Sequence, residues 1–278
     1  MLIGIDGTGS AYLGMSKLDG SIPPEERQGY DTDMKTSFVR ELVREYSGPG
    51  RGMYFRGPGL TGDECDEIAR QCMIAARVPL QLGSVIHLAG YSRGGAIAIA
   101  LSQQIRAEFP DARIPVMALF DAVDRETKFA DLQTIPGNVE IAFHARRDRI
   151  VGSRFYFGNC GTAAEPPCKL VQLTFVTTHG GMGGVPWIGQ PPISERLATH
   201  GYISEIFTVA NDTYHIGEPI EVATDYWFGS SSAPSQLANE LFSAPFGSPS
   251  FGGQTEYQQS KLVHKWMWAN LRKHGIVH

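Results

Sequence analysis

Leu88-Ala89-Gly90-Tyr91-Ser92-Arg93-Gly94-Gly95 sets a serine in the pattern G-x-S-x-G between two contrasting segments. Before it, Ser84-Val85-Ile86-His87-Leu88-Ala89 is a short apolar run that reads as a strand. After it, Ala96-Ile97-Ala98-Ile99-Ala100-Leu101-Ser102-Gln103-Gln104-Ile105 reads as a helix. A serine on a sharp strand-to-helix turn is forced into a strained backbone conformation that lifts its hydroxyl clear of the sheet. Glycines on either side remove clashes at the turn, and the helix N-terminus stabilises negative charge developing in front of it. Ser92 is therefore a candidate nucleophile; the plainer reading is a serine that only caps the helix.

Working outward, strands and helices alternate. Leu2–Ile5 is an expected strand, ending in Asp6-Gly7-Thr8-Gly9-Ser10. A helix is expected near Met34–Tyr46, with Phe38, Leu42 and Val43 at helical spacing, then a strand over Arg51–Arg56 and a helix over Asp63–Arg77. Beyond the serine, strands are expected at Ile114–Phe120, Val139–Phe143 and Leu170–Val176, followed by Asp121, Asp148 and His179 respectively. A final helix, Tyr257–Lys273, carries Leu262, Trp266, Trp268 and Leu271 for packing on the sheet. Such alternation implies a mostly parallel central sheet with helices on both faces, in one domain spanning residues 1–278. Residues 225–255, rich in Gly, Ser, Pro and Phe, read as a long surface segment, either a packed loop or a wall over the substrate.

Composition narrows the classes. With 278 residues, 42% hydrophobic and 19% charged, the chain can bury a full core. No apolar run approaches the roughly 18 residues a membrane span needs. A net charge of −5 gives no electrostatic reason to expect nucleic acid as a partner. Met1-Leu2-Ile3-Gly4-Ile5 has neither a basic n-region nor a small-residue cleavage site. Cytoplasmic synthesis without a signal peptide is expected, leaving non-classical secretion open. None of the four cysteines has metal-ligand spacing. Cys160 and Cys168 bracket a short loop that a disulfide could close, while Cys65 and Cys72 share one helix face, too far apart to bridge, and read as buried thiols.

A serine hydroxyl needs an imidazole to take its proton, and the imidazole needs a carboxylate to fix its tautomer. Of eight histidines, His179 alone follows a strand and opens a glycine-rich loop, His179-Gly180-Gly181-Met182-Gly183-Gly184, which would let the ring swing over the serine. His87 reads as buried structure and His144 as a supporting group behind the site, while His200, His215, His264, His274 and His278 are expected to be exposed. Spacing does not separate Asp121 from Asp148 as the acid; both end strands, and Asp148 is flanked by arginines that suit a salt bridge. For the oxyanion the expected donors are the amide of Arg93 and that of Gly7 or Thr8.

Taken together, Ile5-Asp6-Gly7-Thr8-Gly9, Tyr54-Phe55-Arg56-Gly57-Pro58-Gly59, Gly90-Tyr91-Ser92-Arg93-Gly94, Phe120-Asp121-Ala122-Val123, the stretch His144–Phe155 and the histidine-glycine loop form a distinctive series. In that order, over roughly residues 1–185, they resemble the α/β-hydrolase domain family of bacteria and fungi that includes phospholipase effectors of the type VI secretion system. The resemblance implies an α/β-hydrolase fold and an esterase, lipase or phospholipase with a Ser/Asp/His triad and no cofactor. Its partners would be an ester or lipid substrate and, for an effector, a secretion-system or immunity protein. Carried over by position, the family's residues fall on Ser92, Asp121 and His179, with Asp148 as the rival acid. The family's histidine is usually followed by Ser-Asp and then glycines, whereas Gly180-Gly181-Met182 follows here.

Other chemistries use the same letters. A thioesterase or peptidase would employ the same triad. A nucleotide-binding phosphotransferase would use Asp6–Ser10 as a phosphate and metal loop, but the second such loop and an adenosine segment are missing from the sequence.

Overall fold

The computed structural model describes residues 1–9, 24–59, 62, 64–124, 129–148, 153, 158–186, 250–251 and 254–278. Strands β1 (Leu2–Ile5), β2 (Gly52–Phe55), β3 (His87–Tyr91), β4 (Ile114–Phe120), β6 (Val139–Arg147) and β8 (Lys169–Phe175) form one six-stranded sheet in the order β2-β1-β3-β4-β6-β8. Every neighbouring pair is parallel. Two short ladders lie apart from it: β5 (Thr134–Ile135) with β7 (Ala163–Ala164), and β9 (Ser250–Phe251) with β10 (Gln254–Thr255). The helices are α1 (Pro24–Asp33), α2 (Phe38–Glu45), α3 (Cys65–Gln81), α4 (Arg93–Glu108), the single turn α5 (His179–Met182) and α6 (Glu256–Lys273).

Strands buried on both faces carry near-continuous apolar runs, and β1 and β3 are buried throughout. On one face Ile3, Ile5, Leu88, Met117 and Leu119 pack with Ile68 and Cys72 of α3 and Ile97, Leu101 and Ile105 of α4. On the other, Leu2, Val116, Phe120 and Phe143 pack with Val39 and Leu42 of α2 and Val263, Met267, Trp268 and Leu271 of α6. Helix α2 starts at Phe38 because the Ser37 hydroxyl accepts from the amides of Val39 and Arg40 at 3.2 and 3.4 Å. These layers make an α/β-hydrolase-like fold. The chain leaves β1 for β2 on one side and returns to β3 on the other, so a crevice opens at the carboxyl ends of β1 and β3.

Several expected boundaries move. Strand β3 begins at His87 and runs through Tyr91, because Leu2 pairs with His87 and Phe120 with Tyr91. Helix α4 starts directly after the serine, at Arg93. Strand β6 extends to Arg147, four residues past the expected end, held by Phe120 opposite Ala145 and Phe175 opposite Arg147. On α6 the buried face carries Val263 and Met267, and Leu262 is exposed.

All four cysteines are free, so Cys160 and Cys168 are not bridged. Their loop is closed by backbone pairing instead, with β7 against β5 and the Gly161 amide donating to Leu132 O at 2.8 Å. His264 is half-buried where an exposed side chain is expected: its ring stacks on Trp268 at 3.8 Å between centroids. His200, His215 and most of the 225–255 segment lie outside the described residues. Among the described residues no helix is long and apolar enough to cross a membrane.

Candidate active site

Ser92 stands between β3 and α4 with φ 56° and ψ −129°, in the region that side chains with a Cβ avoid. Its backbone is held there from both sides: Ser92 N donates to Phe120 O at 3.0 Å, and Ser92 O accepts from Val123 N at 3.1 Å and Gly95 N at 3.0 Å. The turn also needs close approach. A Cβ on Gly94 would lie 2.3 Å from the carbonyl oxygens of both Ile5 and Asp6, so only glycine lets the start of α4 sit against the end of β1.

His179 comes from the end of β8, but not on a swinging loop. It opens the single turn α5, whose first residues are fixed by hydrogen bonds. The Thr178 hydroxyl accepts from Gly181 N at 3.1 Å and donates to Glu256 of α6, Ser153 Oγ accepts from His179 N at 2.9 Å, and Ser260 Oγ donates to Gly181 O at 2.6 Å. The ring lies against Tyr91 at 5.1 Å between centroids, and the Tyr91 hydroxyl donates to His179 O at 3.0 Å. Fully buried, the imidazole has Nε2 2.8 Å from Ser92 Oγ and Nδ1 2.6 Å from Asp121 Oδ2.

Asp121 is fully buried and has φ 45°. Four donors surround its carboxylate. Oδ2 receives His179 Nδ1 and the Arg147 guanidinium; Oδ1 receives Asn159 Nδ2 at 2.6 Å and Arg147 N at 3.3 Å. Burial by itself would raise the carboxyl's pKa, but the Arg147 charge and the hydrogen bonds from His179 and Asn159 outweigh it and hold the group well below the usual carboxylate range. Asp148 is half-buried one residue beyond β6, with its amide donating to Phe175 O at 2.7 Å. Of the two expected acids, the structure brings Asp121 to the imidazole.

His144 sits behind this cluster. Its Nε2 accepts from Ala122 N at 3.2 Å and its Nδ1 faces Gly161 O at 3.0 Å, which fixes the neutral ring with its proton on Nδ1. Burial pushes its pKa down to about 4.

The loop after β1 lies across the crevice. Gly7 abuts the turn: a Cβ placed on it would be 3.1 Å from Ser92 Cβ. Its amide, however, is spent on Asp6 Oδ1 at 2.9 Å, which leaves Thr8 as this loop's candidate donor beside the amide of Arg93 at the N-terminal end of α4. The Arg93 guanidinium reaches back to Thr8 Oγ1 at 3.3 Å and Gly59 O at 3.2 Å, tying that loop to α4. Asp6 is turned inward and fully buried, with Oδ2 accepting from the Tyr54 hydroxyl at 2.8 Å, and burial pushes its pKa up. A phosphate and metal loop would instead need this carboxylate facing the ligand. Tyr30 braces the loop, donating to Gly7 O at 2.8 Å and accepting from Gly57 N at 2.5 Å.

Sequence reasoning passed over Arg147, Asn159, Ser153, Tyr91 and Glu256. Of these, Arg147 has a usable signal in the sequence, a cation at a strand end, but its neighbour Asp148 offers it a partner along the chain. No family model matches the chain, and no curated protein matches it. Among solved structures it is similar to an uncharacterized protein from Pseudomonas aeruginosa, at 13% identity and TM-score 0.41, covering 75% of this chain and 45% of that one. The chain thus spans under half of that protein's length. It is also similar to the Vlm2 thioesterase domain, at 10% identity and TM-score 0.32 with the domain bound to a dodecadepsipeptide, covering 76% of this chain and 91% of that one. Likenesses this distant carry no chemistry across; the sheet order and the Ser92–His179–Asp121 geometry stand on their own.

Proposed function

We propose that this chain is a serine hydrolase that cleaves carboxylic esters through an acyl-enzyme on Ser92. One observation carries the reading: an unbroken buried relay from Ser92 Oγ through His179 Nε2 (2.8 Å) and Nδ1 to Asp121 Oδ2 (2.6 Å), with the serine at the head of α4.

The chemistry follows from those contacts. Nδ1 carries its proton toward Asp121, so Nε2 holds a lone pair aimed at the Ser92 hydroxyl. As Ser92 Oγ attacks the ester carbonyl, His179 takes its proton, and Asp121 stabilises the imidazolium. The carbonyl oxygen becomes an oxyanion, for which the amides of Arg93 and Thr8 are the proposed donors. Collapse expels the alcohol, protonated by His179. Water, deprotonated by the same imidazole, then releases the acid and restores the serine. No cofactor enters these steps.

The family resemblance puts lipid esters first among substrates to try, and an effector-like lipase or phospholipase role is part of the proposal. The test is hydrolysis of p-nitrophenyl esters from short to long acyl chains, followed by phospholipid vesicles. Wild type should turn over at least one ester, and Ser92→Ala should abolish it. A folded wild type inert on every ester would overturn the ester reading and turn attention to thioesters and amides, which the same groups can attack.

A further inference from the structure

The Arg147 guanidinium is in an unusual place for a site that must form an imidazolium. It contacts the same oxygen, Asp121 Oδ2, that receives His179 Nδ1, and its Nη1 lies 3.4 Å from Nδ1 itself. Two donors cannot hydrogen-bond each other, so the short approach is enforced by the oxygen they share. The arginine is locked: only 6% exposed, with Nε donating to Ser153 O at 3.0 Å and its amide on Asp121 Oδ1. A guanidinium stays charged at every working pH.

Resting on the hydrolase reading above, we propose that Arg147 is a positioning residue that clamps Asp121 and, by neutralising much of its charge beside the imidazole, keeps His179 in its neutral, proton-accepting form to lower pH than an unaccompanied Ser-His-Asp relay would. Two effects combine. The arginine fixes the carboxylate in the orientation that selects the Nδ1–H tautomer. It also places a permanent positive charge where the imidazolium would gather, in a site with little water to screen it.

Other described groups face His179 from the elements packed against it. Directly after β4 comes Asp121; from the end of β3 comes Tyr91, whose ring covers the imidazole, followed by the Ser92 hydroxyl; from α6 comes Glu256, bound to the Thr178 hydroxyl. His144 lies on the far side of Asp121, held neutral by burial, and Asp148 follows Arg147 on the chain. Among the described residues, Arg147 is the cation that reaches Nδ1.

The test is a titration of the His179 ring by long-range 1H–15N NMR in wild type, Arg147→Lys and Arg147→Gln, with the signal assigned by its loss in His179→Gln. In wild type the midpoint should fall below the ordinary histidine value of about 6.5. It should rise by about one pH unit or more in Arg147→Gln and stay within about half a unit of wild type in Arg147→Lys. The acid limb of kcat/KM on an ester should move the same way. A folded Arg147→Gln with an unmoved midpoint would overturn the proposal, leaving Arg147 a packing residue. Should Arg147→Gln not fold, a wild-type midpoint at or above about 6.5 overturns it just as well. The ring titration needs no turnover, so an enzyme inert on esters with the expected shift refutes the ester reading and leaves the arginine's effect on the imidazole standing.

Discussion

Replacing Asp121 by asparagine keeps the shape of the side chain and changes its hydrogen-bonding sense. All four neighbours of the carboxylate are donors: His179 Nδ1, the Arg147 guanidinium, Asn159 Nδ2 and Arg147 N. Either flip of the new amide therefore sets its NH2 against two of them. If the NH2 faces His179, the ring must accept at Nδ1 and move its proton to Nε2, which then donates to Ser92 instead of taking its proton. Loss of the correct tautomer in a relay of this kind lowers kcat by about 10⁴. At 1.36 kcal/mol per tenfold, that is about 5 kcal/mol of transition-state stabilisation. Stability falls as well, since Arg147 would keep its charge in a buried site without its carboxylate, at a cost of about 3–5 kcal/mol. The assay pairs ester kinetics with urea unfolding for wild type, Asp121→Asn and Asp148→Asn. Asp148→Asn should leave both measurements close to wild type. Folded Asp121→Asn with activity within tenfold of wild type, or an equal loss in Asp148→Asn, would refute the assignment of the acid.

Two further perturbations probe what holds the site. Gly94→Ala puts a methyl 2.3 Å from two backbone oxygens of β1 that cannot swing away, so the turn must shift. A loss of about 2–3 kcal/mol in urea unfolding, with a parallel drop in activity, is expected, and an unchanged midpoint would show the turn to be softer than its packing implies. His144 titrates near 4 in the folded chain against 6.5 for the free ring, because burial disfavours its charged form. The unfolded chain binds that proton first as pH falls, so this histidine removes stability between pH 6.5 and 4, up to about 3 kcal/mol in all. Stability measured across that range should fall less steeply in His144→Gln than in wild type, and identical slopes would rule His144 out as their source.

Local pattern was enough to read the outline from the letters. The apolar runs Leu2–Ile5 and Ile114–Phe120 read as strands of a covered parallel sheet, and the G-x-S-x-G turn is marked by a strand before it and a helix after it. Those signals are contained within a few residues of chain, where backbone sterics and burial act directly. The boundaries were less legible. Strand β6 runs on to Arg147 because Phe120 and Phe175 on neighbouring strands offer it partners, information that no stretch of β6 contains. The glycines after His179 suggest a mobile loop, yet Glu256 and Ser260, on the last helix, hold its turn through Thr178 and Gly181.

By itself, then, the sequence determined the strand-helix alternation, the turn that carries Ser92, and a short list of groups that could serve it. Tertiary structure decided among them. Asp121 and Asp148 both follow a strand, and the register between β4 and β6 sets Asp121 beside Arg147, whose guanidinium shares with the imidazole the oxygen Oδ2. The same contact reversed the meaning of the arginine, from a neighbour of Asp148 to the cation of Asp121. Hydrogen bonds and ion pairs act over a few ångströms in space, and distance along the chain does not measure that.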